Sequence, residues 1–235
     1  MNIDCFLKRY TSLLFKEDGD AVFETLKILT NGTTSIRIAK LLNFAVSQME
    51  GDECYVEVGT FTGGTLVSAC YRTGKVCIGI DPYDKEYLWK MCAANAPTVK
   101  DAAHRNIETF CTSAKIIEKD FKEVTPEEIG HPIGVAFIDG AHMKEPVLQN
   151  LEWLHPQLAD NAVIIFDDVA FVGVFQALFS WLSAHADHYE LLTFVKPFFQ
   201  DDKYLYGLQD RLLNQGVAIL QVHKKEAGVP WVEEH

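Results

Sequence analysis

The sequence predicts an α/β fold built on a doubly wound, mostly parallel sheet with seven strands, of which the last runs antiparallel. Short and continuously apolar runs recur along the chain, as in VCIGI, VAFI and AVIIF. Segments with helical spacing of apolar residues separate these runs, and strands that alternate with helices form right-handed parallel βαβ units. Because helices cover both faces of a parallel sheet, its strands are apolar throughout.

The first fifty residues are predicted to form a helical N-terminal cap, and residues 51–235 to form one α/β unit. Apolar residues at Ile36, Ala39 and Leu42 have the spacing of a buried helix side. Thr34 or Ser35 is available to cap the start of that helix, and the segment ends at Gly51.

Beyond the cap, strands and helices alternate. Strands are predicted at residues 54–59, 76–81, 114–121, 134–139, 162–167, 191–196 and 217–223. Helices are predicted at residues 64–71, 98–110, 144–158 and 171–186. The last helix carries an apolar stripe whose spacing indicates a side that packs into the core; its members are Phe171, Val174, Phe175, Leu178, Phe179 and Leu182.

Charge and composition exclude some classes of partner. Acidic residues outnumber basic ones by 33 to 21, for a formal charge of −12, and such a surface repels nucleic acid and anionic membranes. No apolar stretch has transmembrane length and no signal peptide is evident. None of the six cysteines forms a C-x-x-C pair, which is typical of a reducing compartment. We expect a cytoplasmic protein with a small-molecule substrate.

A glycine-rich turn follows the first predicted strand in the segment EVGTFTGG, which begins at Glu57. Gly59 permits a tight turn at the strand end, and Gly63 lets the backbone approach a ligand closely before the next helix. Asp81 ends the second strand, 22 residues after Gly59. An acid at this distance is placed to accept hydrogen bonds from the hydroxyls of a ribose. Together these features predict a nucleoside-binding site.

The kind of nucleoside follows from the glycine spacing and from Glu57. The spacing is G-x-x-x-G, whereas dinucleotide-binding sites carry G-x-G-x-x-G. A carboxylate beside the loop would repel a pyrophosphate, but it suits a ligand with an amino group and a cationic centre.

These motifs resemble the first two motifs of class I S-adenosylmethionine-dependent methyltransferases, and the resemblance extends over about residues 41–224. It implies that S-adenosylmethionine is the cofactor. Glu57, Gly59, Thr60 and Gly63 would then contact its methionine part, and Asp81 its ribose. Asp120, after the third strand, would lie where the family contacts adenine.

The second half resembles one subgroup, through FIDGAH at residues 137–142 and IFDD at residues 165–168. The subgroup contains metal-dependent O-methyltransferases of macrolide and aminocoumarin sugars and relatives of a cephalosporin biosynthesis enzyme. The resemblance implies that Asp139, Asp167 and Asp168 bind Mg²⁺ or another divalent cation, and that His142 is the general base. It also implies an O-methylated small molecule, either a sugar hydroxyl or a phenol, and allows a homodimer through the cap helices.

The physical chemistry of the residues agrees with this interpretation. Neighbouring parallel strands end ~5 Å apart, so Asp139 and the Asp167–Asp168 pair would converge. Carboxylate oxygens suit a hard cation, which lowers the pKa of a bound hydroxyl. An imidazole three residues after Asp139 would accept the released proton near neutral pH.

Other interpretations stay open from the sequence alone. Asp168 could only cap the following helix, Asp139 could be a turn residue, and His142 could only bond to the backbone. Lys144 and Asn150 stand where many subgroup members have an aromatic residue and an aspartate. The rival functions are an NAD-type oxidoreductase and a relative without methyltransferase activity, either hydroxylase-like or a binding module. Residues 200–206 are expected to help shape the acceptor pocket.

Overall fold

A computed structural model describes residues 1–15, 20–86, 88, 95–195 and 216–223 of the 235-residue chain. The first fifty residues contain three helices, α1 (Ile3–Phe15), α2 (Ala21–Thr30) and α3 (Ile36–Ser47). Ser35 caps α3, because its hydroxyl accepts a hydrogen bond from the amide of Ile38 at 3.2 Å. The division into a cap and a single further domain stays a prediction.

A seven-stranded sheet forms the centre of the molecule. Its strands are β1 (Cys54–Val58), β2 (Cys77–Ile80), β3 (Ala114–Ile117), β4 (Ile133–Ile138), β5 (Leu158–Phe166), β6 (Tyr189–Val195) and β7 (Val217–Val222). Their order is β3-β2-β1-β4-β5-β7-β6. Strands β1 to β5 pair in parallel, and β7 is antiparallel to both β5 and β6. The predicted fold class is therefore confirmed.

Helices cover both faces of the sheet. The other α-helices that lie wholly within the described residues are α4 (Gly64–Cys70), α5 (Ala96–Phe110), α6 (Pro126–Ile129), α7 (Lys144–Leu154) and α8 (Val172–Ala184). One apolar core joins α1, α3 and α4 to one face of the sheet. A second core joins α7 and α8 to the other face. Strands β1, β2, β4 and β7 are buried along their whole length, as a sheet covered on both faces requires.

Several element boundaries differ from the sequence prediction. Strand β3 ends at Ile117 because Asp120 starts a 3-10 turn over Phe121–Glu123. Helix α7 ends at Leu154, and Pro156 lies in a 3-10 turn over His155–Gln157 before β5 begins. The apolar stripe of α8 divides: Val174 and Leu178 are buried, whereas three phenylalanines are exposed. Residues 200–206 and the predicted last residue of the sixth strand, Lys196, lie outside the described residues.

Within the described residues, every helix is too short or too polar to cross a bilayer.

Candidate active site

Five parallel strands end at one edge of the sheet, and their hydrogen bonds continue for one residue beyond the last strand residue. The amide of Gly59 donates to Ile80 and the amide of Asp81 donates to Ile117. The amide of Asp139 donates to Val58, and the amide of Asp167 donates to Ile138. The glycine loop, the strand-end acid and the acidic pair are thus brought to one edge, where open α/β sheets bind ligands.

The glycine loop depends on close backbone approach. Gly59 has φ +95°, and a Cβ there would lie 2.3 Å from the carbonyl oxygen of Asp139. Gly63 has φ +79° and directly precedes α4. A side chain at Gly59 would therefore be strained and would also separate the ends of β1 and β4.

Asp81 holds the loop in shape. Its Oδ2 accepts hydrogen bonds from the amides of Thr60 and Phe61 at 3.0 and 2.9 Å, and its Oδ1 accepts one from Tyr83 at 2.8 Å. Burial raises the pKa of the Asp81 carboxyl, and these three bonds oppose the shift. A carboxylate oxygen has room for further donors, so the ribose-binding role stays a prediction beside this observed loop-holding role.

Glu57 lies fully buried in β1, below the glycine loop. Its Oε2 accepts a hydrogen bond from the hydroxyl of Tyr55 at 2.8 Å. Among the described residues, its Oε1 is buried and has no hydrogen-bond partner. Burial raises the pKa of Glu57 from 4.5 to about 8, and the hydroxyls of Tyr55 and Thr65 oppose the shift. An acceptor buried without a partner is costly, so this carboxylate would gain from a donor or a cation.

A cluster of three side chains lies across the edge from the glycine loop. The cluster consists of Asp139, His142 and Asp168, which are all half-buried. Each offers one possible ligand atom, a carboxylate oxygen or an imidazole nitrogen, and these three atoms lie within 4.8 Å of one another. The Nε2 of His142 is 3.0 Å from Oδ2 of Asp168. These two atoms lack the alignment of a hydrogen bond.

Negative charge is crowded at this cluster. Loss of hydration raises the pKa of Asp139 well above its ordinary value, and the charges of Asp167, Asp168 and Glu57 raise it further. Like charges that share a poorly hydrated site require a proton or a cation. The two carboxylates supply oxygen ligands of the kind that a hard divalent cation takes.

The backbone positions this cluster. Asp168 adopts the left-handed conformation at φ +56°, which turns the chain sharply between β5 and α8. The ring of His142 stacks on Phe171 with centroids 4.5 Å apart and planes inclined by 18°. Gly173 in the first turn of α8 approaches the His142 backbone so closely that a Cβ would meet its carbonyl oxygen at 2.3 Å.

Two of the site residues expected from the sequence lie apart from that cluster. Asp167 is 4% exposed, and its Oδ1 accepts a hydrogen bond from the amide of Asp168 at 2.9 Å. It lies outside the group of converging ligand atoms in the part of the chain that is described. The carboxylate of Asp120 accepts a hydrogen bond from the amide of Lys122 at 3.0 Å and caps the following turn. The metal role of Asp167 and the adenine role of Asp120 stay predictions.

The sequence analysis missed two residues of the site. Tyr55 lies two residues before Glu57 on β1, so their side chains share a face of the sheet, and this period of two was the available signal. Phe171 was assigned to the core by its helical spacing. Phe171 stacks on His142 because the chain turns at Asp168. No pattern in the local sequence predicts that turn.

Comparison with known proteins agrees with this fold. A family model described as a methyltransferase domain matches residues 56–169. The uncharacterized protein R132 of Acanthamoeba polyphaga mimivirus is 31% identical over 134 residues, which are 54% of this chain and 57% of the viral protein. The match therefore spans little more than half the length of that relative.

Solved structures share the fold over nearly the whole chain. Cofactor-bound Rv0187 from MTB has a TM-score of 0.63 at 15% identity and covers 95% of this chain and 97% of its own. An O-methyltransferase from Bacillus cereus in complex with SAH has a TM-score of 0.59 at 17% identity, with coverage of 94% and 100%. CalS11, described as a TDP-rhamnose 3'-O-methyltransferase of calicheamicin biosynthesis, has a TM-score of 0.52 at 18% identity, with 93% of each chain covered.

Proposed function

Because residues 56–169 match a methyltransferase domain and the sheet has the class I methyltransferase fold, we propose that this protein methylates a hydroxyl of a small molecule with S-adenosylmethionine as the donor. The observation that carries the proposal is the common edge of the sheet. It holds the glycine loop, Glu57 and Asp81 on one side and the Asp139, His142 and Asp168 cluster on the other.

The loop residues fit a bound S-adenosylmethionine. The buried Oε1 of Glu57 has no hydrogen-bond partner among the described residues, and an ammonium group of the cofactor would supply one. The backbone at Gly59 and Gly63 adopts positive φ values and leaves the loop without side chains at these two positions. We assign the methionine part to Glu57, Gly59, Thr60 and Gly63, the ribose to Asp81 and the adenine to Asp120.

The acidic cluster fits a divalent cation. Asp139 and Asp168 would hold it directly, and Asp167 would join them or support Asp168 through the bond to its amide. The crowded negative charge at Asp139 supports this assignment.

When bound, S-adenosylmethionine supplies an electrophilic methyl group and a divalent cation lowers the pKa of the acceptor hydroxyl. The residues of this chain then have three tasks. Asp139 and Asp168 orient the acceptor oxygen, and His142 takes its proton at Nε2, the ring atom that faces the cluster. The glycine loop fixes the donor opposite this oxygen, so that alignment supplies much of the rate.

Two rival functions predict different measurements. An NAD-type oxidoreductase would carry the spacing G-x-G-x-x-G, whereas this loop has G-x-x-x-G; titration with NADH distinguishes this rival. A hydroxylase-like relative or a binding module would keep the fold and lack methyl transfer.

The proposal is tested with S-adenosylmethionine, Mg²⁺ and a panel of sugars and phenols, with formation of the demethylated product measured by mass spectrometry. We expect product formation in the wild type and its loss in Asp139→Ala, while S-adenosylmethionine still binds the variant. Binding of the cofactor by both proteins without turnover on any acceptor would favour the binding module.

A further inference from the structure

An aromatic ridge of three exposed phenylalanines runs along α8. Phe171, Phe175 and Phe179 are 43%, 37% and 39% exposed, and they repeat every four residues on one side of the helix. Phe175 and Phe179 lie with ring centroids 4.7 Å apart, and both contact Phe194 of β6. Contiguous apolar surface on a soluble protein marks a binding site.

The ridge begins at the acidic cluster. Phe171 stacks on the ring of His142, whose Nε2 is 3.0 Å from Asp168. Met143 and Val172, each 64% exposed, flank this end of the ridge. The close packing of Gly173 on the backbone of residues 142–144 fixes the two segments together. The apolar surface and the reacting centre are therefore continuous.

The ridge is also free of charge. The thirteen residues of α8 include no acidic or basic side chain, although charged residues make up 23% of the chain. The charged side chains beside the start of α8 are the carboxylates of Asp139 and Asp168 and Lys144, whose backbone amide lies against Gly173. The two carboxylates would repel a phosphate, and α8 itself offers no charged side chain to hold one.

We propose that the ridge binds the acceptor and that the acceptor is a phenol with a flat apolar body, rather than a sugar or a nucleotide-linked sugar. An aromatic ring would pack on Phe171 and extend toward Phe175, with its hydroxyl at Asp139 and Asp168 and its proton transferred to His142. This inference rests on the proposed function, since it names the substrate class of that same site.

The test measures binding separately from turnover. Saturation-transfer NMR with 2,3-dihydroxynaphthalene, with methyl glucoside and UDP-glucose as comparisons, is recorded on the protein with Mg²⁺, both with and without S-adenosylhomocysteine. We expect the naphthalene diol to bind and the two sugars not to bind. In Phe175→Ser its affinity falls by about tenfold, because the change removes a face on which the ring stacks. Phe179→Ser leaves the affinity unchanged, because Phe179 lies about 12 Å along the helix from Phe171, beyond the reach of the diol.

Ile28→Ser is the matched control, since Ile28 is 79% exposed on α2 and its change should leave the affinity for the diol as it is. Phe175→Leu keeps the position apolar and guards against a folding defect of the Phe175→Ser variant. We expect it to weaken diol binding while the melting temperature and the affinity for S-adenosylhomocysteine stay at wild-type values.

The outcomes separate the two claims. Diol binding at the ridge without methyl transfer to any acceptor contradicts the proposed function and leaves the ridge as an aromatic-binding site. If the protein methylates a sugar, and the ridge variants do so at the wild-type rate, the ridge inference is overturned and the proposed function stands. Ridge variants that alter the oligomeric state in light scattering but not diol binding also overturn it, because the ridge is then an interface between copies of the chain.

Discussion

At the scale of single residues, Glu57 has the most unusual environment in the proposed site. It is a carboxyl buried in the middle of a parallel sheet, with one oxygen bound to Tyr55 and the other without a partner among the described residues. A strand needs no such residue for its own stability, since an apolar side chain would pack there without the desolvation cost. The hydroxyl of Thr65 also lies close enough to favour the ionised form, and the proposed ammonium group of the cofactor would add a charged donor.

The ligand-free protein is predicted to lose stability as the pH rises. The pKa of Glu57 in the folded state is about 8, above its ordinary 4.5, so the folded state holds the proton more tightly than the unfolded state. Its contribution to stability is present at low pH and is lost as the pH rises toward 8. From about pH 6 to about pH 8, the melting temperature of the wild type should fall relative to Glu57→Gln.

Saturating S-adenosylhomocysteine should remove most of that difference, because its ammonium group stabilises the ionised carboxylate. The melting temperatures are measured against pH by differential scanning fluorimetry, with and without the ligand. If the melting temperatures of wild type and Glu57→Gln change with pH in the same way, the assignment of Glu57 is contradicted.

His142 is predicted to act on the acceptor and not on the cofactor. His142→Ala should lower kcat for methyl transfer by about 10²- to 10⁴-fold, the range for loss of a general base, with the affinity for S-adenosylhomocysteine unchanged. His104→Ala, which removes an exposed histidine paired with Glu118, is the control and should retain full activity. An equal loss of activity in the two variants would argue against His142 as the base.

At the scale of elements, the contact between the ends of β1 and β4 couples the cofactor side of the edge to the acidic side. Gly59→Ala should destabilise the protein by about 3 kcal/mol or more, because a positive φ is combined with an overlap against the Asp139 carbonyl. Gly51 also has a positive φ, +53°, but a Cβ there would have no atom within 4 Å. We therefore expect Gly51→Ala to lower the free energy of unfolding by only about 1–2 kcal/mol.

Urea unfolding of the two glycine variants gives both values in one experiment. Similar losses for Gly59→Ala and Gly51→Ala would mean that the two strand ends can move apart freely, which would contradict the close approach.

A second element contact joins α8 to the loop of His142. Gly173→Ala improves helix propensity, yet its Cβ would push against the His142 carbonyl oxygen, 2.3 Å away. We expect a reduced kcat together with a lower melting temperature, because the backbone of residues 142–144 must shift to admit the added methyl group. Gln176→Ala, at an exposed position of the same helix, should leave kcat unchanged in the same steady-state assay.

At the scale of the whole molecule, the sequence predicted the sheet well because its signals are local. Each apolar run, glycine turn and strand-end acid can be recognised in a short stretch of sequence. The parallel topology then places these stretches along one edge of the sheet. It predicted less well where distant segments meet. The capping role of Asp120 shortened β3, and the exposed side of α8 could not be distinguished from its buried side by spacing alone. The partnership of His142 with Asp168 and Phe171 needed the left-handed turn at Asp168.

The homodimer and the division between cap and domain remain predictions. Both depend on contacts between surfaces that are formed by distant segments, and no local sequence pattern describes such surfaces. The shared core of α1, α3 and the sheet makes the first helices part of the folded unit that any dimer would use.

Isothermal titration of the purified protein with S-adenosylhomocysteine tests most directly whether this edge of the sheet is a methyl-donor site. We predict one site per chain with a dissociation constant on the order of micromolar, and weaker binding for Glu57→Gln. A folded wild-type protein that binds neither S-adenosylmethionine nor S-adenosylhomocysteine, and that binds NADH instead, would contradict the account.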